Sequence, residues 1–116
     1  MQKLNNNSIG VAQGESVLFS DCESGGEMWT GEGSRESRQR IIFKERFRGQ
    51  PVVHCSMTMW DVDNSANVRA DVTAQCIDGN GFDIVFRTWG DTRVARVRMA
   101  WIAIGEVIGE DDWELY

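Results

Sequence analysis

Val52-Val53-His54-Cys55-Ser56-Met57-Thr58-Met59-Trp60 sets Val53, Cys55, Met57 and Met59 on one side and His54, Ser56 and Thr58 on the other. A period of two sends successive side chains to opposite faces, so this stretch reads as a half-buried β-strand. The pattern recurs downstream. Val68, Ala70, Val72, Ala74 and Cys76 oppose Arg69, Asp71, Thr73 and Gln75 over 67–77. Phe82, Ile84 and Phe86 alternate with Asp83, Val85, Arg87 and Trp89; Val97, Met99, Trp101 and Ala103 alternate with Arg96, Arg98 and Ala100. Turn signals fall between these runs. Asp78-Gly79-Asn80-Gly81 is a strong hairpin sequence, because Asn and Gly tolerate positive φ. Segments 61–66 and 90–92 are read as two further hairpin turns. Shorter strands are expected at 16–20 and 39–43, and the Gly/Ser/Glu-rich stretch 23–37 reads as a long loop. Six antiparallel strands with one apolar face each predict an all-β, two-sheet sandwich. One domain over 1–116 is expected, with its core at about 14–106 and an acidic tail at 107–116 that frays unless Trp113 docks.

The 116 residues suffice to bury a core without metal or disulfide staples. Twelve basic against eighteen acidic side chains give a formal charge of −6, which argues against a nucleic-acid partner, since phosphate binding needs a basic footprint. The apolar segment Met99-Ala100-Trp101-Ile102-Ala103-Ile104 is far short of the roughly 20 residues of a membrane helix. The polar N-terminus shows no apolar leader core. Three cysteines without a C-x-x-C and a single histidine make a zinc site improbable. The cysteines are read as reduced and packed: Cys55 and Cys76 share the apolar parity of their strands and are expected to be buried, leaving Cys22 as the accessible thiol.

Enzymatic chemistry finds little support. His54 and Cys55 are neighbours on a strand, hence on opposite faces, so they do not form a nucleophile–base couple. Asp61-Val62-Asp63-Asn64-Ser65-Ala66-Asn67 begins like a calcium loop but lacks the glycine at its sixth position, and Val72 stands where the twelfth-position glutamate belongs. A turn with Asx-type hydrogen bonds is the simpler reading. No carboxylate pair stands out for glycoside hydrolysis. No metal and no cofactor are implied. Arginines cluster at Arg35, Arg38, Arg40, Arg46 and Arg48 and again at Arg87, Arg93, Arg96 and Arg98, and cross-strand pairing with the excess carboxylates accounts for most of them. Arg69 is isolated from both clusters, on a polar strand face beside Asp71. Trp89 ends a strand on the polar parity next to a glycine turn, where a ring offers a flat apolar surface and an N–H donor.

Phe43…Phe47…Pro51-Val52-Val53, Asp61, Asn67-Val68-Arg69, Gly81-Phe82, Thr88-Trp89-Gly90-Asp91-Thr92 and Trp101-Ile102-Ala103-Ile104 follow one another at spacings that resemble the H-type lectin family. Met28-Trp29 is similar to that family's early tryptophan. The resemblance implies a six-stranded antiparallel sandwich that is non-catalytic and binds galactose-type sugars, notably N-acetylgalactosamine, near subunit boundaries. It assigns sugar contacts to Arg69 and Trp89. Gly90 stands where the family carries a histidine, and Asp91 follows it. The acid that grips the sugar hydroxyls falls to Glu36 or Glu32. Cys22 matches one half of the family's intersheet disulfide, but Phe86 occupies the other half.

The expected function is therefore multivalent glycan binding at a cell or particle surface by a homotrimer or a dimer of trimers. Neither nucleic acid nor membrane insertion enters that expectation. Within a closed ring, the polar faces bearing Arg69, Asp71, Thr73 and Gln75, Arg96 and Arg98, or His54, Ser56 and Thr58 are expected to meet a neighbouring subunit. The alternative is a trimerising structural, spike or adhesion module of a larger assembly whose sugar site has decayed, which the Gly90 replacement favours.

Overall fold

A computed structural model describes residues 1–5 and 8–109. Its strands are β1 (Ile9–Ser20), β2 (Arg35–Ile42), β3 (Val52–Val62), β4 (Asp71–Gln75), β5 (Gly81–Thr88) and β6 (Val94–Glu106). Two single-turn helices, α1 (Asp21–Ser24) and α2 (Glu27–Thr30), lie between β1 and β2. Every pairing is antiparallel, and the strands form two three-stranded sheets ordered β1-β6-β3 and β2-β5-β4. The chain is the all-β sandwich that its alternation predicts.

The core follows from the two central strands. Phe82, Ile84 and Phe86 of β5 and Val97, Met99 and Ala103 of β6 are buried between the sheets. Phe82 meets Trp101 edge-on at 5.4 Å, and Phe43 lies 5.0 Å from Phe47 and 5.7 Å from Trp101. Val85, on the outward parity of β5, is buried as well. Arg38 and Thr73 are its cross-strand neighbours, and Arg38 reaches over to Asp83 at 2.8 Å and Gln75 at 3.1 Å, laying its aliphatic stem across that face.

Several local expectations are corrected. β1 begins at Ile9, well before 16, because its inward positions are Gly10, Ala12, Gly14 and Ser16. Those small residues hide the usual apolar rhythm. They are small for a packing reason: a Cβ on Gly10 would stand 2.5 Å from Val107 Cγ1, and one on Gly14 would stand 2.7 Å from the Trp101 indole nitrogen. β2 begins at Arg35, inside the expected loop, and its inward residues Ser37 and Gln39 carry little apolar signal. β4 is confined to Asp71–Gln75, so Arg69 precedes the strand instead of lying on it.

The turns at 61–66 and 90–92 do not close hairpins; each carries the chain from one sheet to the other. Asp63 Oδ1 accepts from the Ser65 N–H at 2.9 Å and from the Ser65 hydroxyl at 2.7 Å, an Asx turn at the sheet corner. The hairpin at Asp78-Gly79-Asn80-Gly81 does form between β4 and β5, with Asp78 Oδ1 accepting from Asn80 and Gly81 N–H groups. Cys76 is exposed, contrary to its strand parity, because it has left β4 with φ at +51° and its carbonyl accepts from Arg40. Cys22 is exposed and Cys55 half-buried. Trp113 and the rest of the tail over 110–116 lie outside the described residues.

The flanking strands of the first sheet both bulge at the same level. Val17 and Met59 pair with Arg98, while Phe19 and Trp60 pair with Val97, leaving Leu18 and Thr58 as extra residues. A bulge reverses the facing of all that follows. Met59 therefore does not share the inward face of Met57, as simple alternation predicts; Trp60 takes that parity instead.

Candidate functional site

The two residues that sequence reading isolates sit on adjoining irregular segments, and buried threonines hold those segments together. Thr88 is the last residue of β5 and has inward parity; Thr92 lies just before β6. Both are 1% exposed. The Thr88 hydroxyl donates to the Arg69 carbonyl at 2.6 Å. The Thr92 hydroxyl donates to the Asn67 carbonyl at 2.5 Å and accepts the Arg69 N–H at 3.1 Å. Side chains thus take over where the β-ladder stops, satisfying backbone groups that burial would otherwise penalise.

Arg35 fastens the same region from behind. Only 6% exposed, it donates to the carbonyls of Gly33, Glu27, Met28, Gly90 and Thr92. Such a fan of carbonyl acceptors occupies the donor inventory of a guanidinium and makes its burial tolerable. Thr88, Thr92 and Arg35 escape sequence reading as positioning residues. The only signal for the threonines is that they bracket Trp89-Gly90-Asp91; Arg35 looks like one member of an arginine cluster.

Gly90 has φ at +68°, and a Cβ there would lie 3.0 Å from Arg69 Nη1 and 3.2 Å from its Cζ. Any other residue would meet the left-handed penalty of about 1–2 kcal/mol and press on the guanidinium. The absent side chain leaves room for the Arg69 guanidinium beside this turn. Arg69 Nη1 donates to Asp91 Oδ1 at 2.6 Å, and this hydrogen bond holds the Asp91 carboxyl below the usual carboxylate range against a smaller opposing effect of desolvation.

Trp89 follows β5 on its outward parity and remains 45% exposed. It borders a cleft of about 510 Å³ shared with Ser34, Glu36, Ala70, Asp71 and Arg87. Glu36, Arg87 and Asp71 are cross-strand partners on β2, β5 and β4. Arg87 sits between the two acids, 3.1 Å from Glu36 and 3.7 Å from Asp71. The structure therefore brings Trp89 and Glu36 into one cleft and adds Asp71 and Arg87 to them. Arg69, Gly90 and Asp91 form the adjoining cluster, next to the cleft residues Ala70 and Trp89 in the chain. Glu32 is exposed in the turn before β2 and lines neither. His54, on the outer face of the other sheet, takes no part. An apolar ring beside carboxylate acceptors and guanidinium donors suits a polyhydroxylated ligand with one apolar face.

A larger cleft, about 610 Å³, opens between the edges of β1 and β2 beside Trp101 and includes none of the residues chosen from sequence. No helix among the described residues is long and apolar enough to cross a membrane.

Comparison with known proteins agrees with this architecture. The model of the H-type lectin domain matches residues 38–104. A protein of Fuscovulum blasticum described as ATP synthase subunits region ORF 7 is 52% identical over 108 residues, 93% of this chain and 94% of that protein. Two structures of discoidin II from Dictyostelium discoideum share the fold, with TM-scores of 0.75 and 0.76 and 23% and 22% identity, over 90% and 91% of this chain. The chain spans 39% of the discoidin II chain. The tailspike protein gp49 of Pseudomonas phage LKA1 superimposes more loosely, with a TM-score of 0.52 and 10% identity over 85% of this chain and 15% of that one. H-type lectin domains are non-catalytic carbohydrate-binding modules. By its alternation, its two three-stranded sheets and the match over 38–104, the chain belongs to the H-type lectin family.

Proposed function

We propose that the protein is a multivalent lectin for galactose-type sugars, with N-acetylgalactosamine the first ligand to test. The observation that carries this reading is the half-exposed Trp89 ring beside the Glu36–Arg87–Asp71 row, adjoining an Arg69 paired with Asp91. The C–H face of the sugar lies on Trp89. Glu36 and Asp71 accept from hydroxyls, and Arg69 and Arg87 donate to them. Asp91 orients Arg69 instead of meeting the sugar. Glu36 is the better of the two acids chosen from sequence, since Glu32 stands outside the cleft. Such a shallow site binds weakly alone, and several copies on one particle raise the apparent affinity through effective concentration.

Assembly into a homotrimer is part of this proposal. The outer face of β1-β6-β3 supports it, because Val11, Val52 and Ile102 are exposed there and Val11 and Val52 both flank Ile104 in register. A contiguous apolar patch of this kind marks an interaction surface. Arg96 and Arg98 contribute less than sequence reading assigns them. They pair within the chain, with Asp61 at 3.2 Å and Glu15 at 2.9 Å.

A second reading, a structural or spike module with a decayed site, draws on the same turn. Gly90 removes the family histidine, and Asp91 already occupies one arm of Arg69. A glycan array probed with the purified protein separates the two. Selective binding to galactose-type terminal sugars supports the lectin, and a blank array supports the structural module.

A further inference from the structure

Beside the Trp89 cleft, at the open edge between β3 and β4, lies a smaller cleft of about 180 Å³. Met57, Phe86 and Val97 form its floor, and Trp60 and Val68 form its lips. Both lips are unusually bare for large apolar side chains, Trp60 being 60% and Val68 58% exposed. Trp60 is there because the β3 bulge at Thr58 moves it onto the parity of Val97; regular alternation would point it away. Val68 precedes Arg69, and Ala70 lines both this cleft and that of Trp89. The irregular segment 68–70 is thus the ridge between the two.

We propose that this cleft is an apolar subsite of the glycan site, taking an alkyl aglycone carried by the bound sugar. The proposal rests on the reading of Trp89 and Arg69 as the sugar site. Its lining is aliphatic or aromatic throughout. A second hydroxylated ring would lose its water contacts there without replacement, a penalty that an alkyl chain avoids. Ala70 is common to the two linings, so a substituent on a sugar seated at Trp89 has the 68–70 ridge to cross.

The test is a series of N-acetylgalactosamine glycosides with methyl, butyl and hexyl aglycones, as both anomers, titrated into the full chain by calorimetry. In one anomeric series the butyl and hexyl glycosides are expected to bind at least about tenfold more tightly than the methyl glycoside, in keeping with the transfer of several methylenes from water. Trp60→Ala and Val68→Ser, both at exposed positions, should reduce that gain to within about twofold and leave methyl glycoside binding and the far-UV spectrum unchanged. Equal affinity along both series, or a gain that survives both substitutions, overturns the subsite while leaving the sugar site standing. A methyl glycoside that does not bind overturns the sugar-site reading and the subsite with it. If Trp60→Ala lowers the mass measured by light scattering and the series keeps its gain, the cleft is a subunit contact and the proposal is wrong.

Discussion

At the scale of the residue, the proposed sugar site depends on Arg69 staying in place, and two kinds of contact keep it there. Its backbone is gripped by Thr88 and Thr92, and its side chain by Asp91. The ionic contact has a defined pH response. The hydrogen bond from Arg69 depresses the Asp91 pKa in the folded state. A depressed carboxylate stabilises the fold at pH above its unfolded value, about 3.9 for aspartate, and that contribution is lost as pH falls through the lower folded value. Sugar binding that relies on this pair is therefore expected to stay flat from pH 8 to pH 5 and to fall only below about pH 4. Affinities measured at pH 7, 5 and 3, beside the Asp91 carboxyl shift, check this. An Asp91 carboxyl that titrates between pH 7 and 5 would show that Arg69 does not hold it.

At the scale of the element, the sandwich was legible wherever a strand had large inward residues. β5 and β6 carry Phe82, Ile84, Phe86, Val97 and Met99 at every second position, and their burial follows that rhythm. β1 was only partly legible because its inward side is glycine, alanine and serine, made small by Trp101 on the neighbouring strand β6 and by Val107 just after it. Bulges were invisible for another reason: one inserted residue changes facing without changing composition, so Met59 read as an inward residue beside Met57. The corners at 61–66 and 90–92 use the same turn residues as hairpins, and only long-range pairing tells them apart. In the candidate site, the exposure of Trp89 was legible from parity, and Arg69 stood out by its isolation among acids. Thr88, Thr92 and Arg35 were not, since their roles lie in contacts with carbonyls distant in sequence. Cys76 shows the same limit, and its corrected position is measurable. Cys22 and Cys76 should react with a thiol reagent in the native protein. Cys55 should lag well behind, because burial pushes its thiol pKa up and reduces the thiolate. Mass spectrometry of briefly labelled protein checks this, and labelling of Cys55 as fast as that of Cys22 would mean that β3 is turned inside out.

At the scale of the whole molecule, the proposed avidity requires assembly. A trimer that buries Val11, Val52 and Ile102 should give three times the 13.1 kDa chain mass by light scattering at micromolar concentration. Ile102→Glu should shift it toward monomer, because burying an unpaired charge costs several kcal/mol. Arg96→Glu should do less, since it breaks an exposed pair worth about 0–1 kcal/mol. A wild-type chain that scatters as a monomer would contradict the trimer and leave the single-site chemistry intact.

The central claim is that Trp89 is the platform of a sugar site, and the most direct measurement is calorimetric titration of N-acetylgalactosamine into the wild type and into Trp89→Ala. Trp89 is half-exposed outside the core, so the variant should keep its far-UV spectrum. The account predicts saturable binding to the wild type and loss of binding, at least about tenfold, in the variant. Equal affinity in the two proteins would contradict it.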